Sequence, residues 1–288
     1  MGYRTERIFV LATILLVGLG LTLAVSRGAL GGEQGSSTVL LWTMTIALMV
    51  VAAAGSVWLR SGASAVSSAA DTNGTARDRR FAWPIETVVP ALLVGGFTLF
   101  VQLFENGIVQ ALILALAAVS FGAIYWAQVH SFDVSDRFFS GAQAMLNVLS
   151  HLCAFLLFAT IYGLKTRSAI SATAVAIVTA LLVYELLSRD AVWHRAMSLP
   201  VEGRRQTIML LSLVSGLVLG ELTWGLNYWA ALTTLVGAAF LLVAFYVLYG
   251  LVSHYVDHRL DRQTFLEFGL VGLVGVLAVF ASAFFVTI

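Results

Sequence analysis

Charge is scarce in this chain. Only 11% of its 288 residues are charged, whereas 60% are hydrophobic, and mean hydropathy is +0.93. Soluble domains carry about 25% charged residues, so a water-soluble globular fold is excluded. Cysteine is rarer still. Cys153 stands alone, which rules out an intramolecular disulfide. A net charge of +1 gives no surface for a polyanion, so no nucleic-acid partner is expected. Several motifs are missing as well. The chain has no Gly-Lys-Ser/Thr phosphate loop, no Gly-x-Ser-x-Gly elbow and no His-Glu-x-x-His pair. Its last hydrophobic stretch has no lysine for a retinal Schiff base, and no polar segment is long enough for a nucleotide-binding domain. These absences disfavour an ATP-driven pump in this chain, a kinase-type sensor and a rhodopsin.

What remains is hydrocarbon. A helix needs roughly 20 apolar residues to cross about 30 Å of bilayer. Nine stretches qualify: 8–25, 38–59, 83–104, 108–128, 143–163, 168–188, 207–226, 229–256 and 264–287. The alternating ten-residue segments of a β-barrel are absent, and backbone groups in lipid must bond internally, so these runs are helices. The expected fold is all-α: a polytopic integral membrane helical bundle of about nine transmembrane helices. With the N-terminus in the cytoplasm, Arg27, Lys165 and Arg167 fall outside and the other 13 of the 16 basic residues fall inside. The positive-inside rule selects that orientation and leaves the C-terminus outside. The expected location is the cell membrane, as a bacterial-type inner-membrane protein. Trp42, Trp58, Trp83, Trp126, Trp224 and Trp229 all fall near span ends, as an aromatic belt requires. The first stretch also reads as a signal peptide, with Arg4 and Arg7 before it and Ala24-Val25-Ser26 as a cleavage site. Its length favours an uncleaved anchor.

Residues 1–60 hold the first two spans, 61–82 a polar cytoplasmic linker, and 83–288 a seven-helix bundle. The linker is rich in Ser, Ala, Gly, Thr and Asp, offers nothing to bury, and is expected to be disordered. Residues 189–206, with Trp193-His194-Arg195, read either as a short interfacial helix or as a solvated loop. Arg205-Gln206-Thr207 recurs as Arg262-Gln263-Thr264. Duplicated hairpins would leave such an echo, but chance similarity between two Leu-, Val- and Gly-rich spans is the favoured reading.

Ionisable groups inside a span are costly and are functional candidates by default. Glu86, His151, Glu185, His254 and Glu267 all fall in the inner half by the span count, and Glu221 in the outer half. Gln143, Asn147 and His151 recur every four residues and form one polar stripe. Tyr246, Gly250, His254 and His258 form another. The expected substrate or ion pathway is Glu86, Asn147, His151, Glu185 and His254, with His151 and His254 facing one cavity and His151 the proton-responsive group. Interhelical hydrogen bonding is the plainer alternative. His254, Asp257 and His258 also have metal-ligand spacing, with His151 as a further ligand. Neighbouring Arg259 and Arg262 argue against a cation. Pro90 followed by Gly95-Gly96 suggests a third span that is kinked or broken, with a plain proline kink packed against a neighbour the favoured reading. Ser212, Gly216 and Gly220 suggest a helix-packing face. Glu221, Trp224 and Tyr228 suggest an outer vestibule or an interfacial anchor.

Three functions are compatible with this pattern. The leading expectation is a secondary transporter or ion- or proton-coupled permease for a small solute. The others are a non-catalytic subunit or scaffold of a membrane complex, and an intramembrane metal-dependent hydrolase or lipid-modifying enzyme. The implied partners are the lipid bilayer, a small solute or ion, and other membrane proteins. No motif specifies a cofactor.

Overall fold

The computed structural model describes residues 2–27, 34–67, 85–131, 136–164, 168–195, 204–229, 232–257 and 261–286. Nine α-helices and no strand occur among them: α1 Gly2–Ser26, α2 Gln34–Ser67, α3 Val88–Phe100, α4 Gly107–Ser131, α5 Phe139–Gly163, α6 Ser168–Arg195, α7 Arg204–Asn227, α8 Thr234–Val256 and α9 Arg262–Val286. Eight are long and apolar enough to cross a membrane, and a shorter apolar helix covers Val88–Leu103. The chain is therefore a multi-pass helical membrane protein, as its hydrophobic runs require.

The short helix reaches across by changing its winding. Its 13 α-helical residues are flanked by 3-10 turns at Ile85–Thr87 and Val101–Leu103. At about 1.5 Å per α residue and about 2 Å per 3-10 residue, the whole element spans roughly 30 Å. The α-helix runs uninterrupted through Gly95-Gly96, which excludes the broken-helix alternative. Pro90 stands in the first α turn, where its missing N–H matters least. Gly95 serves close packing instead, since a Cβ there would lie 2.9 Å from the Met49 sulfur on α2.

Most hydroxyl groups within spans are satisfied locally; the buried Thr179 hydroxyl of α6 has no partner among the described residues. Thr45, Thr98, Ser150, Thr160, Ser212 and Thr223 each donate to the carbonyl four residues back, at 2.7 to 2.9 Å. This removes the cost of a hydroxyl in hydrocarbon without needing a neighbouring helix.

The chain divides into two compact units, Met1–Cys153 and Ala154–Ile288. In the first, α3 is buried among α1, α2 and α4. Leu93, Val94 and Phe97 are almost fully enclosed, and the Phe97 ring meets Phe121 of α4 edge-on at 5.7 Å. The first two helices thus pack with α3 and α4 in one unit. Helix α2 continues through Ser67, so the first residues of the expected linker are helical, and 68–84 lie outside the described residues.

In the second unit, α6 and α7 form a tight hairpin. A Cβ on Gly216 would collide with the Ala176 carbonyl oxygen, and one on Gly220 would lie 3.0 Å from the Ala172 carbonyl oxygen. The expected packing face at Ser212, Gly216 and Gly220 therefore exists, and it meets Ala172, Ala176 and Ala180. Helix α6 runs on to Arg195, and residues 196–203 of the expected interfacial segment lie outside the described residues. The end of α5 joins this unit: the Tyr162 hydroxyl donates to the Leu226 carbonyl at 3.2 Å, and Phe158 meets Phe245 edge-on at 6.0 Å. Helix α9 packs on α8.

Candidate functional site

The five pathway candidates divide between the units. Glu86, Asn147 and His151 lie in the first, Glu185 and His254 in the second. Each has distinct local surroundings.

Glu86 sits in the 3-10 turn that opens α3, at one rim of the first unit. The Arg60 guanidinium at the end of the α2 span lies 3.5 Å from its carboxylate, and both side chains are partly exposed. At this exposure the pair is worth little in stability. The Glu86 backbone carbonyl accepts a 2.7 Å bond from the buried Gln128 side chain of α4. Arg7 of α1 covers the Trp58 ring at 4.3 Å on the same α1–α2 side.

The Gln128 contact has a counterpart that the sequence reading missed. Gln110, also buried, donates its amide to the carbonyl of Phe104, just past the other end of the third span. The two glutamines are 18 residues apart, about five full turns of α-helix, and so share one face of α4. One amide holds each end of the short span. Both glutamine Oε1 atoms are buried with no hydrogen-bond partner among the described residues. The 18-residue spacing was the available signal, but nothing in it named the partner carbonyls. Tyr125, on the same helix, donates to the Ala52 carbonyl of α2 at 3.1 Å.

Asn147 and His151 stand on α5. The helix begins at Phe139, four residues before the expected span, so His151 is its central residue rather than a residue two turns in. The His151 Nδ1 atom lies 2.8 Å from the Asn147 carbonyl, and the ring is half-buried. The Asn147 side chain is exposed and makes no hydrogen bond among the described residues. Ser140, Gly141, Ala144 and Val148 are exposed around it. They lie at three- and four-residue spacing, hence on one helical face.

Glu185 is buried, and its carboxylate accepts a 2.6 Å bond from Arg189 one turn later. The Arg189 side chain is only 10% exposed, so this ion pair is enclosed. His254 is half-buried, with Nδ1 2.8 Å from the Gly250 carbonyl. Its ring meets Phe268 of α9 edge-on at 5.4 Å, and Tyr246 meets the same ring at 5.9 Å. A Cβ on Gly250 would collide with the Phe268 ring. The described part of the second polar stripe thus packs on an aromatic side chain of α9. His258 lies outside the described residues. Among the described residues, no three His, Cys, Asp or Glu side chains are grouped to hold a metal ion.

Near the ends of α7 and α9 the polar groups are exposed. Glu221, Trp224 and Tyr228 all face outward, and the Trp224 indole donates to the Tyr228 hydroxyl at 3.2 Å. That arrangement suits an interfacial anchor. Glu267 is exposed and accepts from Gln263 at 3.1 Å.

A profile of the DUF5656 family, described as a protein of unknown function, matches residues 21–282. The chain belongs to the DUF5656 family. No curated protein and no solved structure matches it. In this DUF5656 chain the match takes in all five pathway candidates and both α4 glutamines. It begins within α1 and ends within α9.

Proposed function

We propose that the protein is a non-catalytic subunit of a membrane assembly, held to its partner within the bilayer by the first half of α5. The exposed Asn147 carries this reading. It lies eight residues into a 25-residue helix, roughly 12 Å along an axis of about 37 Å. A carboxamide at that depth without a partner costs roughly 2–7 kcal/mol. A partner helix supplying a donor and an acceptor removes that cost. The surroundings of the ionisable candidates support the same reading. Glu86 and Glu185 each have a guanidinium beside them, and His254 has the Phe268 ring. The basic-residue asymmetry supports an N-terminus in the cytoplasm and a C-terminus outside.

The test is purification from native membranes in a mild detergent. The reading expects a component at fixed stoichiometry, another copy or another membrane protein, that is lost on Asn147→Leu. A chain that purifies alone as a monomer contradicts it.

A second reading, a proton- or ion-coupled permease for a small solute, is favoured by one observation. His151 is the midpoint of α5, the depth at which an ionisable side chain is costliest and most often belongs to a pathway. Solute-dependent thermal stabilisation that disappears in His151→Gln would support it. A solute screen without any shift would count against it.

A further inference from the structure

We infer that the occupant of the exposed α5 face is a second copy of this chain, with α5 packed against α5 about a two-fold axis along the membrane normal. The inference rests on the subunit reading and names its partner. Three observations carry it.

The first is composition. The exposed faces of α7 and α9 are built mostly of large apolar side chains: Met209, Leu210, Leu213, Val214 and Leu217 on α7, and Leu266, Leu270, Leu273 and Leu277 on α9. Such faces suit lipid. The exposed α5 face carries Ser140, Gly141, Ala144 and Asn147 beside Met145 and Val148, with a Cβ on Gly141 meeting nothing within 4 Å. Small residues let a second backbone approach closely, and a polar one bonds across the seam.

The second is an occupied example in the same chain. The α6–α7 seam uses Ala172, Ala176 and Ala180 against Ser212, Gly216 and Gly220. It ends in Asn227, whose amide donates to Ser171 on the facing helix at 2.7 Å. The α5 face offers the same ingredients, and its asparagine has no partner within the described chain.

The third is depth. Two copies inserted in one orientation place residue 147 at the same level, so each Asn147 meets its own image. A carboxamide carries both donors and an acceptor and is therefore complementary to itself. A different protein would need a polar group at that depth by separate design; a second copy has one by symmetry.

Cysteine cross-linking in native membranes tests this. Cys153 is buried, so the unmodified chain measures background. Ser140→Cys and Ala144→Cys should yield a disulfide-linked dimer on mild oxidation, whereas Leu213→Cys on α7 and Leu273→Cys on α9 should not. Adding Asn147→Leu should lower the dimerisation constant about tenfold, and Asn147→Gln should retain most of it. Each variant is first checked for a monodisperse elution profile, so that misfolding is not read as loss of contact. Cross-linking no stronger at positions 140 and 144 than at 213 and 273 overturns the inference. If that result accompanies a different membrane protein released by Asn147→Leu, the subunit reading stands and only the second copy falls. If the chain is a monomer with no companion, both fall.

Discussion

The α6–α7 seam and the open face of α5 use the same chemistry to different ends. Each presents small residues at helical spacing and one asparagine. In the seam the residues are covered: Gly216 touches the Ala176 backbone and Asn227 bonds to Ser171. On α5 the equivalent residues are exposed. The difference shows that small residues at helical spacing can be covered in one helix and open in another, and the proposed second copy would cover the open ones. The exposed faces of α7 and α9 carry mostly leucine, valine and methionine.

The largest effect is expected on the covered side. Glu185→Ala leaves Arg189 enclosed without its carboxylate, and removing one member of a buried pair costs about 3–5 kcal/mol. Thermal unfolding in detergent should show a large loss of stability, and Glu185→Met with Arg189→Met should restore most of it. Equal losses in the single and double variants would mean that the pair is not the reason.

Gly216→Leu should follow. The new side chain has to displace the Ala176 backbone, and overpacking of this kind costs about 1–3 kcal/mol or more. The matched change on α5, Ala144→Leu, meets open space and should leave the unfolding of the monomer within about 0.5 kcal/mol of the wild type. Comparable losses at both positions would erase the distinction between a covered and an open face.

A smaller contrast concerns the two asparagines. Asn227→Leu gives up one interhelical hydrogen bond, worth about 1 kcal/mol. Asn147→Leu gives up none within the described chain, so monomer stability should hold while association weakens. Unfolding measured below and above the association concentration separates the two effects.

How far the sequence leads can be judged on particular residues. Most span ends were legible within a few positions, because hydrocarbon thickness sets length and the polar interruptions are few. Among the eight long spans two starts differ by more: α5 begins four residues early and α8 five residues late, and the first changes the depth of a candidate residue. Phe139-Ser140-Gly141-Ala142 is helical although weakly hydrophobic, and that shift moves His151 to the midpoint. Periodicity also identified the α7 packing face, since glycine spacing reports close approach directly. It did not identify partners. The stripe through Tyr246, Gly250 and His254 was correctly grouped, yet spacing on α8 says nothing of Phe268 on α9. Pro90 with Gly95-Gly96 suggests a kink or a break, because proline removes a donor and glycine weakens a helix. The Met49 neighbour of Gly95 lies in another helix and leaves no trace in the local sequence. The two α4 glutamines bond carbonyls of other segments, Glu86 and Phe104, and their 18-residue spacing names neither partner.

The account turns on whether the exposed face of α5 is covered in the native assembly. The most direct measurement is the mass of the protein released from native membranes into nanodiscs. One chain has a mass of 30.9 kDa. The account predicts a particle of two chains, shifting to one chain with Asn147→Leu while the helical content stays the same. A wild-type particle of a single chain with no companion would contradict it.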